Sequence, residues 1–69
     1  MQPHNMKPYQ ERVIAEYKDL QSKLIKLSAM IEGPAFGTLK LRDQDLLKRQ
    51  LKIMTDYERV LAQRIEEFD

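Results

Sequence analysis

The chain has 69 residues, no cysteine, and 12 basic against 11 acidic residues, which gives a formal net charge of +1. This length allows one small domain at most, and the composition excludes disulfides and argues against a structural zinc site. A domain of this size gains only about 3–5 kcal/mol from its own core. Self-association is the remaining support, so we expect a homo-oligomer. No apolar run approaches the roughly 20 residues that span a membrane, and the small net charge disfavours duplex nucleic acid as a partner.

The first element is a predicted helix that begins near Pro8. Residues 1–7 are predicted to be a flexible lead-in, and residues 8–69 to be the folded domain, because proline suits the first helical turn. The helix should end at Ile31 or Glu32. Its apolar positions follow the steps 4, 3, 4, 3, 4 of a coiled-coil seam: Val13, Tyr17, Leu20, Leu24, Leu27 and Ile31.

A corner follows, and it contains both glycines of the chain. Gly33 followed by Pro34 ends the helix, since glycine takes the left-handed conformation after a helix and proline lacks the N–H that would continue it. We therefore predict a positive φ at Gly33. A short helical turn is predicted within Pro34–Leu39, with Phe36, Leu39 and Leu41 closing the end of the core.

The second helix is predicted to begin between Lys40 and Asp45, with Asp43 as the best N-cap by chemistry. Its apolar stripe is Leu47, Leu51, Met54, Tyr57, Leu61, Ile65 and Phe68. Two such helices joined by a short corner predict an all-α antiparallel helical hairpin, which self-associates into a helical bundle.

Some apolar residues fall outside the two stripes. One reading is that they only widen the core face of the hairpin. The other is that they contact another subunit, because a two-helix hairpin leaves one side of each stripe exposed to water. We favour the second reading, and the predicted oligomer interface is Ile14, Ile25, Leu46, Ile53 and Val60.

No catalytic or metal signature is present. His4 lies in the lead-in, Ser22 and Ser28 have no histidine near them in the sequence, and no Glu-x-x-His pair suggests a metal site in a bundle. We expect a protein that is not an enzyme and needs no cofactor or metal.

Charge is unevenly distributed along the chain. Residues 22–54, called the corner half below, hold seven basic and three acidic residues. The rest of the chain, called the terminal half, holds five basic and eight acidic residues. The corner half should therefore be positive, near the positive N-terminus of the second helix. One reading is an ordinary solvated surface of mixed charge. The other is an anion site for phosphate, a nucleotide or an acidic protein surface, formed by Lys40, Arg42, Lys48, Arg49 and Lys52 with Phe36 as a stacking surface.

Several short motifs are similar to those of a known family. They include Met6-Lys7-Pro8-Tyr9-Gln10-Glu11-Arg12-Val13, Leu24-Ile25-Lys26-Leu27, Pro34-Ala35-Phe36, Gln44-Asp45-Leu46-Leu47 and Gln50-Leu51-Lys52-Ile53-Met54, followed by Tyr57, Val60-Leu61, Arg64-Ile65 and Phe68. In this order the chain resembles a family of very small phage proteins named after a crAss-like phage gene product. Members often begin with His-Gln-Gln-Arg-Val, whereas this chain has Tyr9-Gln10-Glu11-Arg12-Val13. The resemblance implies a phage origin, an accessory role and no assigned chemistry.

A looser analogy of size, helicity and positive charge links the chain to phage proteins that act as sponges for nucleotide signals of bacterial immunity. The first hypothesis is therefore an anti-defence sponge, a homo-oligomer in the cytoplasm of the infected bacterium that sequesters a cyclic nucleotide or a cyclic ADP-ribose-type ligand. The alternative is a structural or adaptor protein that binds a host or phage protein through an exposed apolar helix face.

Overall fold

The computed structural model describes residues 6–68, so His4 and most of the predicted lead-in lie outside the described residues. Helix α1 spans Pro8–Glu32 and helix α2 spans Leu41–Glu66, with a short 3-10 turn at Phe36–Thr38 between them. The helices pack against each other as an antiparallel hairpin about 49 Å long and 16 Å wide. The predicted all-α hairpin is confirmed, together with the bounds of the first helix, the start of the second and the helical turn in the corner.

Helix α1 begins where the chain leaves an extended conformation at Lys7. Pro8 occupies the first helical position, where the N–H that it lacks would have no partner in the helix. The side chain of Gln10 folds back, and its Oε1 accepts a hydrogen bond from the Lys7 backbone N–H at 3.0 Å. Gln10 is buried, and its bond to a residue three positions earlier makes the start of α1 a local feature of the sequence.

The prediction of a positive φ at Gly33 is wrong. Gly33 lies at φ −87° and ψ 172°, which is extended backbone, and its N–H donates to the Met30 carbonyl at 3.2 Å. The physical reason is Pro34, because the ring of a proline pushes the preceding residue into the extended region. This effect overrides the left-handed conformation that glycine otherwise favours at a helix end.

Helix α2 begins at Leu41, inside the predicted window, but its N-cap is Lys40 and not Asp43. Asp43 is the third residue of the helix, where its carboxylate lies near the positive end of the helix dipole. The Gln44 side chain donates to the Leu39 carbonyl at 2.9 Å and ties the corner to the helix. Leu41 is 82% exposed, so it does not close the core as expected.

The core is concentrated in the terminal half of the hairpin. Leu61 is completely buried beside Val13 and Leu20. Five partly buried stripe residues pack around these three side chains: Tyr17, Leu24, Met54, Ile65 and Phe68. Near the chain ends, the rings of Tyr9 and Phe68 meet edge to face at 5.8 Å. In the corner half, Phe36 is the buried hydrophobic residue among those that the structure describes.

Each side of the hairpin is marked by a hydrogen bond between the helices. On one side the Gln21 amide donates to the Glu58 carboxylate at 3.4 Å, and on the other the Tyr57 hydroxyl donates to the Glu16 carboxylate. Consecutive residues of an α-helix are rotated by about 100°. Tyr57 and Glu58 therefore lie on opposite edges of the contact between the helices, and Tyr57, a member of the predicted apolar stripe, is 43% exposed.

Candidate functional site

The candidate cationic residues lie in and after the corner and are all exposed. Lys40 precedes α2, and Arg42, Lys48, Arg49 and Lys52 follow along its first three turns. At about 100° and 1.5 Å per residue, these four side chains lie within an arc of about 120° on one side of α2 but are spread over about 15 Å along its axis. Within a single chain they form a positively charged region of surface and do not converge on one point.

Acidic neighbours neutralise two of these cations. Arg49 Nε lies 3.0 Å from Asp45 Oδ2, and Lys52 Nζ lies 3.4 Å from Asp56 Oδ2. Both are exposed pairs with (i, i+4) spacing, which contribute only about 0.3–0.5 kcal/mol to stability. An incoming anion can therefore displace either carboxylate at little cost to the fold.

The Lys48 side chain lies over the ring of Phe36. Its ammonium lies 5.7 Å from the centroid of the Phe36 ring, within the range of a cation–π contact. Phe36 itself is only 9% exposed, so little of its ring surface is accessible for a ligand to stack on. In this arrangement Phe36 supports the corner, and Lys48 covers it.

Arg42 is the most available of the predicted arginines. Within residues 6–68, no acidic side chain forms an ion pair with Arg42, nor with Lys40. A guanidinium without an internal carboxylate can offer its planar set of donors to a phosphate. Lys40 is the N-cap of α2 and Arg42 is its second residue, so both lie at the positive end of the helix dipole, together with the Asp43 carboxylate.

A groove between the helices lies on the side of Gln21 and Glu58. It has a volume of about 410 Å³ and continues past Ile25 into a second hollow of about 270 Å³. Carboxylates line both hollows, and none of the five candidate cations does. An anion site inside this groove is therefore unfavourable. We call it the groove side, lined by Gln21, Leu24, Ile25, Ser28, Ala29, Glu32, Leu51, Thr55 and Glu58.

The opposite side of α2 carries an exposed apolar row. Leu46, Ile53 and Val60 recur every seven residues and are 43%, 68% and 50% exposed. Tyr57 lies four residues after Ile53 and three before Val60, so it belongs to the same row, and by the same spacing the exposed Arg49 lies in it between Leu46 and Ile53. We call the four apolar residues of this row the ladder side.

The predicted interface residues are thus divided between the two sides of the hairpin. Ile25 lines the groove side, and Ile14, seven residues before Gln21, is on the same side of α1. Leu46, Ile53 and Val60 form the ladder side. A single flat contact cannot cover all five residues, so the structure separates what the sequence pattern had grouped together.

Arg64 was not among the predicted site residues. It follows Val60 by four residues and therefore extends the ladder side toward the chain ends. Like Arg42, it is exposed and has no ion-pair partner in the part of the chain that the structure describes. The periodicity of the ladder, continued by one step, would have pointed to it.

No helix between residues 6 and 68 is long and apolar enough to cross a membrane. No group of three or more histidine, aspartate or glutamate side chains gathers there in an arrangement that could hold a metal ion.

Comparison with known proteins places the chain among small phage proteins. A family model described as Sequestin matches residues 7–67. The chain is 38% identical over 63 residues to an uncharacterized 7.5 kDa protein of the denB-rIIB intergenic region of Enterobacteria phage T4, an alignment that covers 91% of this chain and 98% of the T4 protein. No solved structure matches. The expectation of a small phage protein family is confirmed.

Proposed function

The chain belongs to the Sequestin family, and from this premise we propose that it is a binding protein that sequesters an anionic nucleotide signal of bacterial immunity. The family name, which denotes sequestration, is the observation that carries the proposal. The T4 relative supports a phage setting, in which such a protein would act in the cytoplasm of the infected bacterium. Sequestration requires binding without turnover, so the proposal is a sponge and not an enzyme.

The charge of the corner half supports an anionic ligand. Lys40 and Arg42 stand beside the first turn of α2 without acidic partners among residues 6–68, and the carboxylate partner of Arg49 is weakly held. These groups provide hydrogen-bond donors and positive charge for a phosphate or a pyrophosphate. Because the basic side chains of one copy do not converge, we propose that a homo-oligomer completes the site.

Calorimetry with a panel of cyclic dinucleotides, cyclic trinucleotides and cyclic ADP-ribose isomers tests this proposal. We expect at least one ligand to bind, and we expect the double variant Arg42→Glu, Arg49→Glu to lose binding while keeping its helical circular dichroism. Arg59→Glu is the matched control, because it reverses an exposed arginine of the same helix in the terminal half. If the wild type binds no member of the panel, the sponge function is rejected.

The exposed ladder side favours a second candidate function. Contiguous apolar surface on a small protein often marks a protein–protein contact, so an adaptor that binds a host or phage protein through Leu46, Ile53 and Val60 is the alternative. Affinity capture from infected cells with wild type and Ile53→Glu would distinguish the two. A specific partner that the variant loses, together with a negative calorimetric panel, would favour the adaptor.

A further inference from the structure

We propose that the ladder side is covered by the ladder side of a second copy, with the two α2 helices packed antiparallel about a two-fold axis. The first argument is the burial of the hairpin. Within residues 6–68, four hydrophobic side chains are buried, whereas eight large hydrophobic residues are exposed. Four of those eight form the ladder on one helix. A surface of this kind is stable in water when another apolar surface covers it.

The spacing of the ladder makes it complementary to itself. Leu46 and Val60 lie seven residues before and after Ile53, so turning α2 end for end about Ile53 places Leu46 opposite the partner's Val60. A two-fold interface requires this property, because the same surface must serve both copies. With Tyr57 the row has steps of seven, four and three, which is the repeat of a coiled-coil seam.

Charge selects the antiparallel arrangement over the parallel one. Parallel helices would set Arg49 beside the partner's Arg49 and align the two helix dipoles. In the antiparallel arrangement Arg49 lies within about a turn of the partner's Asp56, and each helix N-terminus approaches a helix C-terminus. The groove side offers no comparable surface, because carboxylates surround its most exposed apolar residue, Ile25.

The antiparallel pair also brings cations of the two copies together. Arg42 precedes the ladder by four residues and Arg64 follows it by four, so Arg42 lies opposite the partner's Arg64 at each end of the interface. Two guanidiniums without carboxylate partners repel each other unless an anion lies between them. We infer a composite anion site at each end of the pair. The composite anion site deepens the proposed function and rests on it. The pairing of the two α2 helices does not depend on the proposed function.

Matched substitutions on the two sides test the pairing. Ile53 and Ile25 are 68% and 71% exposed, so glutamate at either position leaves the hairpin core intact. We expect sedimentation equilibrium to show that Ile53→Glu weakens the dimer about 10- to 100-fold, since it places a charge in an apolar contact. Ile25→Glu should leave the dimer unchanged. Dissociation by Ile25→Glu alone, or a wild type that is monomeric at millimolar concentration, would overturn the proposal.

Cross-linking tests whether the two α2 helices of the pair run antiparallel or parallel, with substitutions that change the fold very little. The protein has no cysteine, so Leu46→Cys and Val60→Cys each introduce a single thiol. A bis-maleimide with a spacer of about 10 Å should join the two variants when they are mixed. It should not join either variant to itself, because two same-site thiols in the antiparallel pair are separated by 14 residues along the axis, about 21 Å at 1.5 Å per residue. Efficient cross-linking of each variant alone would show a parallel pair and overturn the arrangement.

Inorganic pyrophosphate at constant ionic strength probes the composite site. We expect it to lower the dimer dissociation constant about 5-fold or more, and we expect Arg64→Gln to remove this effect. Arg59→Gln, outside the ladder, should keep it. If pyrophosphate leaves the wild-type dimer unchanged, the composite site is wrong although the pairing stands. If calorimetry finds no nucleotide but the dimer responds to pyrophosphate, the sponge function fails and the site remains.

Discussion

The terminal half and the corner half of the hairpin have similar apolar stripes, but they bury them to different extents. In the terminal half Leu61 is completely buried, and Val13 and Leu20 are nearly so. In the corner half the corresponding stripe residues are only partly covered, and Leu51 and Leu24 open onto a groove of about 410 Å³. The basic residues also predominate in the corner half. The difference indicates that the packing of the hairpin is concentrated in the terminal half, whereas the stripe of the corner half is partly open to water.

The largest expected effect comes from deleting one leucine side chain in each half. Leu61→Ala should lower the free energy of unfolding by about 2–5 kcal/mol, because it leaves a cavity in the core that surrounds it. Leu51→Ala removes the same atoms beside an open groove, where water already reaches the side chain. It should therefore lower the free energy of unfolding by less than Leu61→Ala does. Urea denaturation followed by circular dichroism measures both. Equal losses would contradict the division of the hairpin into a packed half and an open half.

A smaller effect is expected at the aromatic contacts of the two ends. A double-mutant cycle of Tyr9→Leu and Phe68→Leu should give a coupling energy of about 0.5–1.5 kcal/mol for the edge-to-face pair. The cycle of Lys48→Met and Phe36→Leu should give about 0.5–1 kcal/mol for the cation–π contact. The second coupling should weaken in high salt, since the ammonium is exposed. A salt-independent coupling at Lys48 would mean that its aliphatic stem, and not its charge, stabilises Phe36.

The smallest expected effect concerns the glycines of the corner. Apart from Gly37 itself and its two chain neighbours, no atom lies within 4 Å of the position that a Cβ would take there, and the φ of Gly37 is not positive. Gly37→Ala should therefore raise the free energy of unfolding by about 0.4–1 kcal/mol, by restricting the unfolded chain. At Gly33 a Cβ would lie 3.2 Å from the Ala29 carbonyl oxygen, a close contact. Gly33→Ala should therefore raise the free energy of unfolding by less than Gly37→Ala does.

Thermal unfolding of the two glycine variants provides the comparison. A strong loss of stability in Gly33→Ala would indicate that the corner cannot accommodate a Cβ at Gly33, although the backbone there is extended. It would also restore the idea that glycine is required there.

The sequence by itself determined the elements of the fold. Pro8 begins α1, the pair Gly33-Pro34 ends it, and the 3–4 spacing of apolar residues indicates two helices of nearly the observed lengths. These features depend on each residue and its neighbours within a turn or two, so they can be predicted from the pattern. Gly33 is the instructive exception, because two local preferences competed there and the effect of Pro34 was the stronger.

Only the tertiary structure decided how the two helices are rotated about their axes. That rotation follows from how the side chains around Leu61 fit together, and no periodicity along one helix specifies it. It places Ile25 on the groove side and Ile53 on the ladder side, and it leaves Arg42 and Arg64 without carboxylate partners within residues 6–68. The sequence could name the apolar and basic residues outside the core, but packing between the helices determined which of them share a surface.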